Sequence, residues 1–233
     1  MGAEEARHGR VFFSHSRSLW LLAHDARDRA WKAVESEPYA LTADTTVCIA
    51  MSTAAAEGFI NELAEISSFD QETTEFLHAY GVLSRFLIEL ERSHATVQAK
   101  YNFATIILTG NAVDLGGSPY QDFSSLIDLR NLHLHLKQGD KVGDKGKVEH
   151  RSKIVSDLIR KGLTYDAGDA NMSWMNLLQT PKVADWALRS SLAVIKEVSN
   201  LALAKHPANL PVEATGLGLF LVSWMSTVFP RTA

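Results

Sequence analysis

The stretch "SPYQDFSSLIDLRNLHLHLKQGD", Ser118 to Asp140, decides how the chain is read. At about 100° per residue, Phe123, Leu126, Ile127 and Leu134 fall on one stripe, with Arg130 in its middle. Leu129, Leu132 and Leu136 form a second apolar face. A narrow polar strip of Ser124, Asp128, Asn131 and His135 runs between them at helical spacing. A helix that is apolar on two sides packs into its own bundle and also against something else. A second copy of the chain fits that role. The start is marked by Ser118 as N-cap, Pro119 at the first helical position and Gln121 completing a capping box.

Outward from this helix the same periodicity dominates, and alternating β-branched runs are nearly absent. A first long helix is expected over about Val11 to Val34, stopping before Pro38. A second covers about Asp44 to Ile66, with Val47, Met51, Ala54, Ala55, Phe59 and Leu63 as apolar positions. A third covers about Glu72 to Arg92, and a shorter one Val97 to Leu108, closed by Gly110. Beyond the opening stretch come a short helix, about Ser152 to Lys161, and an irregular segment, "TYDAGDANMSW". A long helix from about Lys182 to Ala204 ends before Pro207. Gly216 to Pro230 is too short to span a bilayer and reads as a C-terminal packing helix. The expected fold is all-α: a single helical bundle over 1–233 with long central helices and a packing extension over 205–233.

Composition sets bounds on function. Hydrophobic residues at 46% and charged residues at 21% mark a globular chain. A net charge of −4 gives no general case for nucleic-acid binding, so any such case is local. Lys137 to Lys161 holds eight Lys/Arg against four acids, a local net of +4. That segment reads either as a phosphate-tracking surface, through Lys137, Lys141, Lys145 and Lys147, or as a solvated loop. Its glycines do not form a GxxxxGK[ST] phosphate loop. A lone cysteine, Cys48, cannot pair internally and lies in an apolar segment, which fits a buried thiol in a reducing cytoplasm. "MGAEEARHGR" at the start has no apolar signal core. A cytoplasmic protein without membrane association is therefore expected.

Arg130 is the anomaly. A guanidinium keeps its proton, so on an apolar stripe it needs a carboxylate partner or an anionic ligand. Glu57, one turn from Asn61 in "EGFINELAE", offers such a carboxylate. A structural ion pair from Glu57 is the favoured reading, and membership of the site the other. Asn131 and His135 project together from the polar strip. His133 and His135 point about 200° apart on a helix, so no zinc pair is expected. His133 is read as packing, with substrate contact as its alternative. Tyr120 and Trp186 read as core or interface aromatics, and His78, His94, His150 and His206 show no ligand spacing.

"LRNLHLH" resembles the Arg-x4-6-His motif of HEPN domains, in which a polar residue, often Asn, follows the arginine. "EGFINELAEI", "KYNFATIILTG", "GGSPYQDFSSLIDLRN" and "TPKVADWALRSSLAVIKEV" resemble the segments around that motif in bacterial HEPN-like proteins. The resemblance covers about Asp44 to Asn200, a motif-bearing core of residues 44–200. It implies a helical bundle that dimerises with the two motifs facing each other. It also implies a metal-independent endoribonuclease of toxin–antitoxin or antiviral defence systems, with no cofactor. Arg130 and His135 would be catalytic and Asn131 would assist; Glu57, Asn61, Asp128 and His133 are candidate supporting residues.

The residue types suit that chemistry. Histidine titrates near neutrality and serves as acid or base. Arginine presents a fixed fork of donors to phosphate oxygens. The implied products are a 2′,3′-cyclic phosphate and a 5′-hydroxyl. The implied partners are RNA, a second protomer completing the site, and an antitoxin or defence protein. The alternative is a non-catalytic HEPN module that binds RNA, a nucleotide or a partner protein. Some HEPN toxins carry a modifiable tyrosine two residues after the motif histidine; Lys137 stands there in this chain.

Overall fold

A computed structural model describes residues 14–69, 77–134, 141–142, 148–149, 153–165, 173–206, 211–212 and 215–228. Along these residues run α1 (His15–Ser36), α2 (Ala43–Phe69), α3 (Leu77–Arg92), α4 (Val97–Thr109) and α5 (Tyr120–Leu134). Two short strands follow, β1 (Lys141–Val142) and β2 (Val148–Glu149). They precede α6 (Lys153–Arg160), α7 (Trp174–Leu178), α8 (Pro181–Ala204) and α9 (Gly216–Val228). The fold is all-α. The strands form only a two-residue antiparallel ladder, Lys141 opposite Glu149 and Val142 opposite Val148, in the stretch expected to be loop.

The core is organised around α2. Its 27 residues span roughly 40 Å. Cys48, Ile49, Ala55, Phe59, Ile60, Leu63 and Ile66 are all buried, so the helix is apolar around most of its circumference. Such a helix must be enclosed, and α1, α3, α4, α5, α8 and α9 all touch it. Ala23, Ala26 and Ala30 give α1 a stripe of small, fully buried side chains. That stripe lets the two backbones approach closely. Gly58 marks the tightest point: a Cβ there would sit 3.2 Å from that of Ser16.

A buried carboxylate fixes one end of this pair. Glu62 of α2 accepts hydrogen bonds from the Ser14 hydroxyl (2.9 Å), the Ser16 N–H (2.8 Å) and the Ser16 hydroxyl (2.5 Å). It thereby caps the first turn of α1 from a neighbouring helix, a position that favours negative charge. The Trp224 indole N–H of α9 donates to the same Ser16 oxygen at 2.9 Å. Phe59 stacks on Phe220 and meets Trp224 edge-on, both at 5.4 Å, so α9 packs on the core as the sequence suggests. Among the described residues no helix is long and apolar enough to cross a membrane.

Local signals set most helix ends. Thr96 accepts the Ala99 N–H at 3.2 Å, and Gly110 closes α4 at φ 75°, a left-handed geometry suited to glycine. Thr180 accepts the Val183 N–H at 3.2 Å, and Pro181 rather than Lys182 opens α8. The start of α5 differs from the sequence expectation. Tyr120, not Pro119, is its first residue. Main-chain carbonyls rather than the Ser118 side chain hold its first turn: Gln121 N–H donates to Gly117 O (3.0 Å) and Phe123 N–H to Pro119 O (3.1 Å). The expected starts at Val11 and Glu72 lie outside the described residues.

Candidate functional site

The two halves of α5 are covered unequally. Phe123, Leu126, Ile127 and Leu129 are buried against α2, α4 and α8. The stripe then runs out of cover: Leu134, expected beside Phe123 and Ile127, is 60% exposed. It lies past the edge of the core. Arg130 stands at this transition, its side chain 24% exposed. One guanidinium nitrogen donates to Glu57 of α2 at 3.4 Å. That is a long contact through a single nitrogen, and among the described residues it leaves most of the five donors unspent. Glu57 is itself 41% exposed, so the pair sits at a rim. Glu57 is the carboxylate beside Arg130, a contact that both of its expected roles share.

One turn further along α2, Asn61 faces a different cation. Its side-chain oxygen accepts from Lys100 of α4 at 2.9 Å. Lys100 is only 2% exposed and also pairs with Glu91 of α3. Burial lowers the Lys100 pKa, and the nearby Glu57 carboxylate raises it. A polar ladder thus runs Glu91–Lys100–Asn61, with Glu57 and Arg130 on its flank. Lys100 is absent from the residues singled out in the sequence. Its signal was present: with Val97, Tyr101, Ala104 and Leu108, all buried, it completes an i, i+3, i+4, i+7, i+11 stripe. A lysine on such a stripe must be paired.

His133 packs. Its Nδ1–H donates to the Leu129 carbonyl at 3.0 Å, since a carbonyl oxygen can only accept. Its ring meets Trp174 edge-on at 5.4 Å. Burial lowers the His133 pKa, and the carbonyl contact raises it. The ring is therefore held toward its neutral form. Asn131 is half-buried and Asp128 exposed, and neither side chain has a partner among the described residues. Tyr120 is buried and shares a hydrogen bond with Thr105.

His135 lies just past the end of α5, outside the described residues, as do Lys137, Lys145 and Lys147. Lys141 lies on β1, and its side chain is outside the described set. The structure thus brings Arg130 to Glu57 and sets Asn61 beside them, while His133 turns to Trp174.

Among the described residues no group of three or more His, Cys, Asp or Glu is placed to hold a metal ion. Cys48 is enclosed, its thiol 3.2 Å from the Ala184 carbonyl, and burial pushes its pKa up to about 11. Such a thiol is a poor nucleophile.

In comparisons with known proteins, no family model matches the chain, nor does any curated protein or solved structure.

Proposed function

We propose that the chain is a HEPN-type, metal-independent endoribonuclease that works as a homodimer in a toxin or antiviral defence setting. One observation carries this reading. Arg130 sits part-covered on α5 with a single long contact among the described residues, five positions upstream of His135. A guanidinium in that setting is shielded enough to bind an anion strongly and has donors to spare for it. The remainder rests on the resemblance of "LRNLHLH" to the HEPN motif.

In the proposed reaction a motif histidine takes the proton of the ribose 2′-OH, and that oxygen attacks the adjacent phosphorus. The bond to the 5′-oxygen breaks, and the second protomer's histidine returns a proton to the leaving oxygen. Arg130 neutralises the charge that builds on the non-bridging oxygens. Asn131 orients the histidine or the ribose. The products are a 2′,3′-cyclic phosphate and a 5′-hydroxyl. Leu134, exposed beyond Arg130, is a natural contact for the second protomer.

The test is cleavage of mixed RNAs by purified protein in EDTA, beside Arg130→Ala and His135→Ala. Cleavage should fall at least about 100-fold in both variants. Unchanged cleavage by the His135 variant would overturn the site assignment. The contact from Glu57 supports a second reading, because a tethered guanidinium suits binding as well as turnover. A wild-type protein that binds RNA and cleaves none would establish the non-catalytic module.

A further inference from the structure

Two adjoining hollows lie where the C-terminal part of α1 meets the start of α8, and neither is lined by Arg130 or Glu57. The larger, about 360 Å³, has Trp31, Pro119, Leu163 and Trp186 in its walls. The smaller, about 240 Å³, shares Trp31, Leu163 and Lys182 with it and adds Tyr165. The larger falls in the size range of small-molecule sites. Trp31 is 39% exposed. An indole left open to water in a concave surface is a ready stacking surface. Trp186 adds a second ring whose indole N–H is enclosed without an acceptor among the described residues.

The charges around the larger hollow are unevenly committed. Asp122 is taken by Lys161 at 2.5 Å. Asp185 is taken by Arg189 at 2.7 Å and Arg27 at 3.5 Å. Lys182 has no carboxylate within ion-pair distance among the described residues and reaches only the Gly162 carbonyl, at 3.4 Å. Arg189 uses one nitrogen on Asp185 and keeps further donors. Lys161 also stands 5.8 Å from the Trp186 ring centre. Both acids in the wall are therefore spent, while a cation beside two indoles is not.

We propose that this hollow binds a planar aromatic ring carrying an anionic group, the ring against Trp31 and Trp186 and the anion on Lys182 and Arg189. The ring and charge can belong to a small free molecule or to one base and phosphate of a single-stranded RNA. This site is independent of the cleavage reading.

The experiment is a calorimetric titration of the full chain with indole-3-acetate, adenosine 5′-monophosphate and a short single-stranded RNA. Quenching among the five tryptophans is followed in parallel. Saturable binding of at least one probe is expected. Lys182→Gln should weaken it about tenfold, the loss of one charge-assisted contact. Trp31→Ala should weaken it comparably, and Arg92→Gln, on the exposed surface of α3 and outside both hollows, should leave it unchanged. Binding of the small probes alone assigns a free ligand; RNA binding that competes with them assigns a strand. Lys182 and Trp31 are exposed, so circular dichroism of both variants should match the wild type. No saturable binding of any probe at millimolar concentration would overturn the proposal. So would binding of the small probes that survives both hollow variants, or that is lost in Arg92→Gln.

Discussion

Lys100 and Arg130 are two cations on neighbouring helices, both facing α2, and they are held in opposite ways. Lys100 is buried and held by two partners, Asn61 and Glu91. Arg130 is part-exposed, with one long contact to Glu57. The same contrast divides the acids of α2. Glu62 is enclosed and accepts three hydrogen bonds, whereas Glu57 sits at the rim with one weak partner. A buried, paired charge is committed to holding the fold, because removing its partners leaves an uncompensated group. A half-covered, undersatisfied charge adds little to stability and remains available for a ligand.

Four variants test whether that division is real. Glu62→Ala should have the largest effect. It leaves the Ser16 N–H and hydroxyl without their acceptor and uncaps α1, at a cost of about 3 kcal/mol. Urea unfolding measures it. Lys100→Met comes next, at about 2 kcal/mol, because Asn61 loses its donor inside the core. If Lys100→Met unfolds at the wild-type urea midpoint, Lys100 is not committed and the contrast fails.

His133 gives a pH test. Burial lowers its folded-state pKa below the ordinary 6.5. As pH falls below 6.5 the unfolded chain takes up this proton first, so the histidine costs stability on the acid side. His133→Phe should flatten part of the stability loss seen between about pH 6.5 and 5. An unchanged acid slope would show that the ring is not held neutral. Lys100 has the same sign at higher pH. Its lowered folded-state pKa makes stability rise as pH climbs toward 10.5, a rise that Lys100→Met should remove.

The smallest change in stability belongs to Arg130→Ala, within about 0.5 kcal/mol. Thermal unfolding of that variant sharpens the comparison most. A loss as large as that of Lys100→Met would make Arg130 a structural residue and remove the physical support for its role in the site.

Much of this was legible in the chain. The apolar period of α2, the Gly110 stop of α4 and the break between α1 and α2 at Pro38 were read from residues within a few positions of each other. The start of α5 differs from the sequence pattern because a proline beside a serine resembles a capped start, whereas main-chain carbonyls accept the first-turn N–H groups. The Arg130 anomaly and a carboxylate at Glu57 were visible as a need and a candidate, and the structure joins them. Lys100 does not stand out in the sequence because lysine on a helix is ordinarily solvated. Only its place on a buried stripe betrayed it.

The sequence by itself determined an all-α chain, the main helix spans and the presence of a charge on an apolar stripe. These follow from spacing and caps, which act over one or two turns. Tertiary structure alone decided which charges are committed. Glu57 meets Arg130 across 73 positions of chain, and Lys100 meets Asn61 across 39. Such pairings depend on how helices are placed against each other. Packing of whole faces decides that, and no local pattern records it.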